Sequence, residues 1–302
     1  FKMSVAGVAW ATIIAQAISA VLVVICLMRR KGYGKLRLKR LRISKRAMIE
    51  IFKIGFPAGV QSTIFSFSNV IIQSAINSMG AMAVAGNAAS CNIEGFVYIA
   101  MNAMSQACLT FTGQNFGANN KENCKITLIE TSAITVIMGL ALGVIVYFAG
   151  VPLLRLYNTD PEVIKFGLER IKIICLTYFT CGIMEVFVGT LRGMGKSLLP
   201  MIVSIVGVVG VRILWVYTVF AKTQNLDMLY WSYPISWVFT ALVHFVCIMI
   251  VEKKVFGGGR GAKIHKDKSV EGEQQVDMSE HSIDESELVG QKTSSNDIVV
   301  AQ

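Results

Sequence analysis

Long apolar segments, separated by short polar or charged ones, dominate the first 256 residues of the chain. Seven of them are long enough for a helix to cross a bilayer core about 30 Å thick, which takes about 20 residues. In chain order, the predicted spans a to g cover residues 4–28, 54–78, 87–112, 126–148, 170–191, 197–220 and 228–251. Their residues do not alternate in polarity as in a strand, so the pattern predicts an all-α polytopic membrane protein.

The composition and charge support this fold class. Hydrophobic residues make up 54% of the 302 residues and charged residues only 16%, whereas soluble domains are about 25% charged. The net charge is +10, and the stretch 29–46 alone holds ten Lys or Arg and no acid. Because positively charged loops stay in the cytoplasm, residues 29–53 are predicted to form a basic cytoplasmic linker. The charge therefore indicates topology and contact with the lipid bilayer rather than nucleic-acid binding.

The same rule places the first residue outside the cell membrane and the C-terminus in the cytoplasm. From residue 257 onward the chain is polar and has no aromatic residue, so residues 252–302 are predicted to be a disordered cytoplasmic tail. The chain begins with Phe rather than Met, almost inside an apolar run. We therefore expect further sequence upstream.

Polar residues recur at helical spacing within span b: Ser62, Ser66, Asn69, Gln73 and Asn77. Residues three and four positions apart share one face of a helix. Since lipid cannot hydrogen-bond to these side chains, they are expected to face other helices or water. We interpret the stripe as the lining of a substrate cavity, with helix–helix contacts as the structural alternative.

Spans c and e carry similar stripes, each with one acid. Span c has Glu94, Tyr98 and Asn102, together with Asn87, Cys91 and Gln106; span e has Tyr178, Cys181 and Glu185. A charge at the bilayer centre costs about 2.5–3.5 kcal/mol on insertion scales. Glu185 and Glu94 are therefore candidates for binding a coupling cation. Tyr98 and Tyr178 could offer aromatic faces to a cationic compound.

Two basic residues at membrane depth supply the structural alternative. Arg212 lies in span f and His244 in span g. Depths counted at 1.5 Å per residue suggest the pairs Glu94–Arg212 and Glu185–His244. Arg212 is also assigned to the cavity lining. The sequence indicates no metal site and no organic cofactor.

Four short motifs lie between the spans: LYNTDPEV at 156–163, GTLRGMGKS at 189–197, GQNFGA at 113–118 and GFP at 55–57. In the first of them Asp160 is expected to cap a helix, with Pro161 and Glu162 in its first turn. Together and in this order the motifs resemble those of the multidrug and toxic compound extrusion (MATE) family. The resemblance covers residues 1 to about 255.

The resemblance implies a transporter of twelve helices in two lobes of six. Residues 1–28 would be the last helix of the first lobe, and residues 54–251 the complete second lobe. It also implies secondary active efflux of cationic or amphipathic compounds across the cell membrane by antiport with H⁺ or Na⁺. The first lobe, absent here, would be needed for transport.

The chain differs from the family pattern in the positions of its acidic residues within the spans. The glutamate that some members carry near Phe65 or Ser66 is absent, and the aspartate of the helix matching span e falls at Cys181. Glu185, one turn later on the same face, could replace it.

Two alternatives to the antiporter stay open. A flippase for lipid-linked saccharides would share the two-lobe architecture, and a seven-helix receptor would share the helix count. An enzyme is the least favoured class, because the sequence shows no Ser/His/Asp set, zinc-protease motif or paired intramembrane Asp.

Overall fold

The computed structural model describes residues 4–30, 36 and 43–256. Residues 31–35 and 37–42 of the predicted linker, and the predicted tail from residue 257, lie outside these ranges. The α-helices are α1 Ser4–Arg29, α2 Lys45–Asn77, α3 Ala81–Gly117, α4 Lys121–Phe148, α5 Gly150–Arg155, α6 Pro161–Gly193, α7 Leu198–Ser204, α8 Val211–Trp215, α9 Ala221–Thr223 and α10 Leu226–Phe256. Two π-helical segments, π1 Ile205–Gly210 and π2 Val216–Phe220, connect α7 to α8 and α8 to α9.

The predicted spans all fall in helical segments. Within the described ranges, five segments are long and apolar enough to cross a membrane: Ala9–Arg29, Lys121–Phe148, Pro161–Gly193, Leu198–Thr223 and Leu226–Phe256. Spans b and c lie in α2 and α3, which do not meet this measure and carry frequent polar residues. The prediction of an all-α polytopic membrane protein is confirmed.

The helix boundaries differ from the predicted ones at two places that matter for the site. Helix α2 begins at Lys45, nine residues before span b, so residues 45–53 of the predicted linker are helical and Pro57 lies inside the helix. Helix α6 begins at Pro161, nine residues before span e. A window matched to bilayer thickness cannot find these starts, because polar residues continue a helix beyond its apolar part.

The chain divides into two units, Phe1–Phe56 and Pro57–Gln302. The first unit contains α1 and the beginning of α2. Helix α1 is apolar on all sides, and its large side chains, such as Trp10, Ile14 and Leu22, are exposed. An unburied helix of this kind suits contact with lipid or with another membrane helix.

Helix α6 is the centre of the second unit, where it packs against α3, α4 and α10. Two glycines of α4, Gly139 and Gly143, allow α6 to approach closely. A Cβ atom at Gly139 would lie 2.8 Å from Cα of Phe179, and one at Gly143 would collide with the carbonyl of Cys175. These contacts bring the backbones of α4 and α6 together, as small residues do between membrane helices.

The ends of α6 follow the motifs found in the sequence. Asp160 accepts a hydrogen bond from the backbone N–H of Glu162 at 2.8 Å, and Pro161 occupies the first turn. After the last turn Gly195 has φ +73°, a conformation that favours glycine. The expected cap is confirmed, and the two ends fix where the polar stripe of α6 lies along the bundle.

The segment from α7 to α9 is not a regular α-helix. A π-helical turn contains more residues than an α-helical turn, so each π segment rotates the residues that follow it. Arg212 lies in α8, between π1 and π2. Its direction therefore depends on π1 as well as on its position in the sequence.

Candidate functional site

A cavity of about 510 Å³ lies within the second unit and is lined by α2, α3, α6, π1, α8 and α10. Its polar lining comprises Ser62, Ser66, Asn69, Gln73, Asn87, Cys91, Glu94, Tyr98, Arg170, Tyr178, Cys181, Glu185, Arg212, Tyr233 and Trp237. The polar stripes of three separate spans therefore meet at one space. Of the polar residues in the three predicted stripes, Asn77, Asn102 and Gln106 do not line it.

The stripe of α2 is tied to the neighbouring helices by side-chain hydrogen bonds. Gln73 donates to Oδ1 of Asn77 at 3.0 Å and accepts from Nδ2 of Asn87 at 3.0 Å. Asn87 in turn accepts a hydrogen bond from Nη1 of Arg170 at 2.9 Å. This part of the stripe combines helix–helix contacts with cavity lining, so the two interpretations of span b are not exclusive.

Glu94 forms an ion pair with Arg170, and the predicted pair Glu94–Arg212 is wrong. Nε and Nη2 of Arg170 donate to Oε1 and Oε2 of Glu94, both at 2.8 Å. The two residues are only 5% and 4% exposed. The guanidinium also lies 5.3 Å from the ring centroid of Tyr230 and 5.2 Å from that of Tyr233. Helices α3 and α6 are thus joined by a bidentate pair inside the bundle.

Arg212 has no carboxylate partner among the described residues. Its Nε donates to Oγ of Ser236 and its Nη1 to Oδ1 of Asn69, both at a long 3.3 Å. The guanidinium lies 4.1 Å from the ring centroid of Tyr233 and 5.8 Å from that of Trp237. It is 5% exposed and contributes to the cavity wall.

Glu185 is partly buried and lines the cavity. Within residues 4–30, 36 and 43–256, its carboxylate forms no ion pair and accepts no hydrogen bond. Arg192, two turns further along α6, attracts it electrostatically. However, Nη2 of Arg192 donates to Oε1 of Gln61 at 2.7 Å instead. Glu185 is therefore an acid that faces the cavity without a fixed cation.

The predicted pair Glu185–His244 is also wrong. Nε2 of His244 lies 3.5 Å from Oγ of Ser204 and 3.4 Å from the carbonyl oxygen of Pro200. His244 is fully buried and does not line the cavity. Equal depth was not enough to predict contact, because the two side chains leave their helices in different directions.

The two tyrosines predicted for the cavity both line it but differ in their exposure. Tyr178 is buried at the cavity wall, with its ring centroid 5.3 Å from that of Trp237. Tyr98 lines the cavity but is more exposed, and Nδ2 of Asn102 donates to its hydroxyl at 3.4 Å. Asn102 thus contacts a cavity residue without reaching the cavity itself.

Arg170, Tyr233 and Trp237 line the cavity but were not predicted from the sequence, and Arg170 is the charged residue among them. It was the first residue of span e, where an arginine is usually placed among the lipid headgroups. The motif at 156–163 contained the signal for the depth of Arg170. A helix that Asp160 caps places Arg170 about 14 Å from its start along the axis. Depth counted from that cap would therefore have predicted a second buried arginine besides Arg212.

The cavity wall therefore contains two acids and two arginines. Glu94 and Arg170 neutralise each other, while Glu185 and Arg212 do not form a pair with each other. No group of three or more His, Cys, Asp or Glu in the described residues is placed to hold a metal ion. The arrangement offers separate positions for a cation and for an anion in one space whose wall also contains aromatic side chains.

The MatE family model matches residues 57–218, just over half of the chain. A probable multidrug resistance protein, NorM of Thermotoga maritima, is 27% identical over 207 residues, which is 68% of this chain and 44% of that protein. The multidrug export protein MepA of Staphylococcus saprophyticus is 23% identical over 255 residues, which is 84% of this chain and 56% of that protein. The chain thus spans about half the length of these relatives.

Among solved structures, the bent form of the Vibrio cholerae MATE transporter VcmN superposes with a TM-score of 0.70 at 17% identity. The match covers 81% of this chain and 55% of that transporter. At this identity the likeness establishes the fold of the bundle alone.

Proposed function

The chain belongs to the MATE family of transporters, and from this we propose that it provides half of the transport pathway of an efflux antiporter. The cargo is an amphipathic compound with a cationic group, and the driving ion is H⁺ or Na⁺. Relatives named as multidrug export proteins support efflux as the activity. The cavity of the second unit supplies the place where cargo and ion bind.

Glu185 is the residue to which we assign the coupling ion. The single observation that carries this assignment is that its carboxylate faces the cavity without a hydrogen bond or ion pair from the described residues. An unpaired charge at membrane depth is costly, so binding of a cation there is favourable. Glu94 was the other candidate, but both of its oxygens are already held by Arg170.

Exchange follows if cargo and ion use the same carboxylate. A cationic compound in the cavity neutralises Glu185, with its apolar part against Tyr178 and Trp237. Arrival of H⁺ or Na⁺ neutralises Glu185 instead and lowers the affinity for the compound. Because each ligand stabilises the conformation in which it binds more tightly, alternating occupancy drives the transporter between its two states.

The membrane orientation belongs to the same proposal. The basic stretch 29–46 would lie in the cytoplasm, with residue 1 outside and the C-terminus inside. The complete cavity would include a first lobe like the one in the longer relatives.

Replacement of Glu185 by Gln in the protein expressed from its complete reading frame tests the assignment. Gln keeps the shape of the side chain but has no negative charge with which to bind a cation. We expect loss of drug resistance and of dye uptake into energised everted vesicles, with unchanged amounts of protein in the membrane. A variant that still couples uptake to a pH or Na⁺ gradient would remove Glu185 from the mechanism.

Glu130→Gln is the matched control. Glu130 is an exposed acid of α4 that does not line the cavity. Its replacement removes the same charge from the same unit and should leave coupled transport unchanged.

A flippase for lipid-linked saccharides is the second candidate. The observation that favours it is Arg212, which could bind a lipid phosphate at the cavity wall. Complementation of a lipid-export defect by the wild-type protein, without any dye transport, would favour this candidate over the antiporter.

A further inference from the structure

Two buried arginines lie against the same aromatic side chain but differ in their partners. The guanidinium carbon of Arg170 is 5.2 Å from the ring centroid of Tyr233, and that of Arg212 is 4.1 Å from it. Both arginines line the cavity and both are almost completely buried. Arg170 is held by a carboxylate, whereas Arg212 contacts only neutral groups in the described part of the chain.

The contacts of Arg212 leave its charge without a counterion. Ser236 and Asn69 accept hydrogen bonds from Nε and Nη1 at 3.3 Å. This distance is long for a hydrogen bond from a charged donor. Nη2 donates to no described residue. The same guanidinium group in Arg170 donates two bonds of 2.8 Å to Glu94. Arg212 therefore has N–H donor capacity that no described residue uses, and its side chain lines the cavity.

The remaining acid of the cavity does not supply the missing counterion. Glu185 forms no ion pair with Arg212. Aromatic rings lie beside Arg212 instead: the ring centroid of Trp237 is 5.7 Å from that of Tyr233 and 5.3 Å from that of Tyr178. A flat aromatic compound could pack against these rings with an acidic group directed at the arginine.

We propose that Arg212 binds the carboxylate of an exported aromatic compound, as Glu94 binds Arg170 within the protein. The inference rests on the proposed function and adds to its cargo compounds that carry a carboxylate beside the cationic group. Glu185 would meet the cationic group or the coupling ion, and Arg212 the carboxylate. A guanidinium is suited to this role because it binds carboxylates through two parallel hydrogen bonds.

The position of Arg212 between π1 and π2 fits such a role. π-helical turns inside α-helices occur often at functional sites. A regular α-helix from Leu198 onward would place residue 212 at a different angle around the axis. π1, which precedes Arg212, thus determines that this arginine reaches the cavity wall.

A matched pair of rhodamine dyes tests the proposal. The methyl ester is a cation, and the free acid differs from it only by the exposed carboxylate. Uptake of each dye is measured in energised everted vesicles that contain the protein expressed from its complete reading frame. We expect the wild type to transport both dyes. Arg212→Gln should raise the KM for the free acid by about tenfold, while the KM for the ester changes less than about twofold.

The ester serves as the internal control for folding, and Arg155→Gln, at an exposed arginine of α5 outside the cavity, as the control for charge removal. If Arg212→Gln does not reach the membrane, Arg212→Lys decides the question, because it keeps the charge without the planar pair of donors. It should impair the free acid selectively.

Three results would overturn the inference: equal effects of Arg212 variants on both dyes, no effect on either dye, or transport of the ester alone by the wild type. Failure of the wild type to transport the ester would instead contradict the proposed antiporter. The two failures are therefore distinguishable in one set of measurements.

Discussion

Arg170 donates one hydrogen bond to each carboxylate oxygen of Glu94, and both bonds are 2.8 Å long. The pair joins α6 to α3 inside the bundle, and Asn87 adds a third bond to the same guanidinium at 2.9 Å. All donors and acceptors are buried, so the pair cannot be replaced by water without opening the helices. We interpret it as a structural connection that leaves Glu185 as the exchangeable acid.

Breaking this pair from one side should destabilise the protein more than removing both charges. Arg170→Gln leaves the Glu94 carboxylate buried without a cation, which costs about 3–5 kcal/mol. The double variant Glu94→Gln/Arg170→Gln has no uncompensated charge and should recover a large part of that loss. The free energy of unfolding in mixed detergent micelles measures both effects as a double-mutant cycle.

Arg155→Gln provides the control, since Arg155 is exposed and lies outside the cavity; it should unfold like the wild type. A double variant less stable than either single variant would contradict a buried pair as the main link between α3 and α6.

The sequence alone predicted which faces of the helices meet. Steps of three and four residues in spans b, c and e placed Gln73, Glu94 and Glu185 on stripes that do surround one cavity. The cap at Asp160 and the turn at Gly195 also follow from local chemistry. Periodicity and caps act within a few residues, and they are therefore visible in one sequence.

The sequence alone did not predict the partners across helices. Glu94 was assigned to Arg212 from depth, but contact also requires the direction in which each side chain leaves its helix. Arg170 entered the bundle only because α6 begins at Pro161 rather than at residue 170. For Arg212 the direction depends on π1, a departure from the 3.6-residue period that no periodic pattern contains.

The close approach of α4 and α6 gives a second stability prediction. A Cβ at residue 139 would lie 2.8 Å from Cα of Phe179, which is backbone and cannot move aside. Gly139→Ala should therefore destabilise the protein by about 1–3 kcal/mol through overpacking.

Gly59→Ala is the matched control, because nothing lies within 4 Å of its added Cβ and the residue sits inside α2. It should be neutral or stabilise by up to about 1 kcal/mol. Unfolding in mixed micelles compares the two variants. Equal effects would mean that the backbones of α4 and α6 are further apart at Gly139 than in the structure.

The aromatic wall of the cavity predicts how a cationic dye is held. Tyr178 is buried against Trp237 and lines the cavity, so its ring can attract the cationic part of the cargo. Tyr178→Phe keeps the ring and should leave the KM for the rhodamine ester nearly unchanged. Tyr178→Leu removes the ring and should raise that KM by about two- to thirtyfold. Tyr217, an exposed tyrosine outside the cavity, supplies the control variant Tyr217→Leu, which should transport like the wild type. Equal KM values for Tyr178→Leu and Tyr217→Leu would exclude the Tyr178 ring from cargo binding and place the cationic group elsewhere in the cavity.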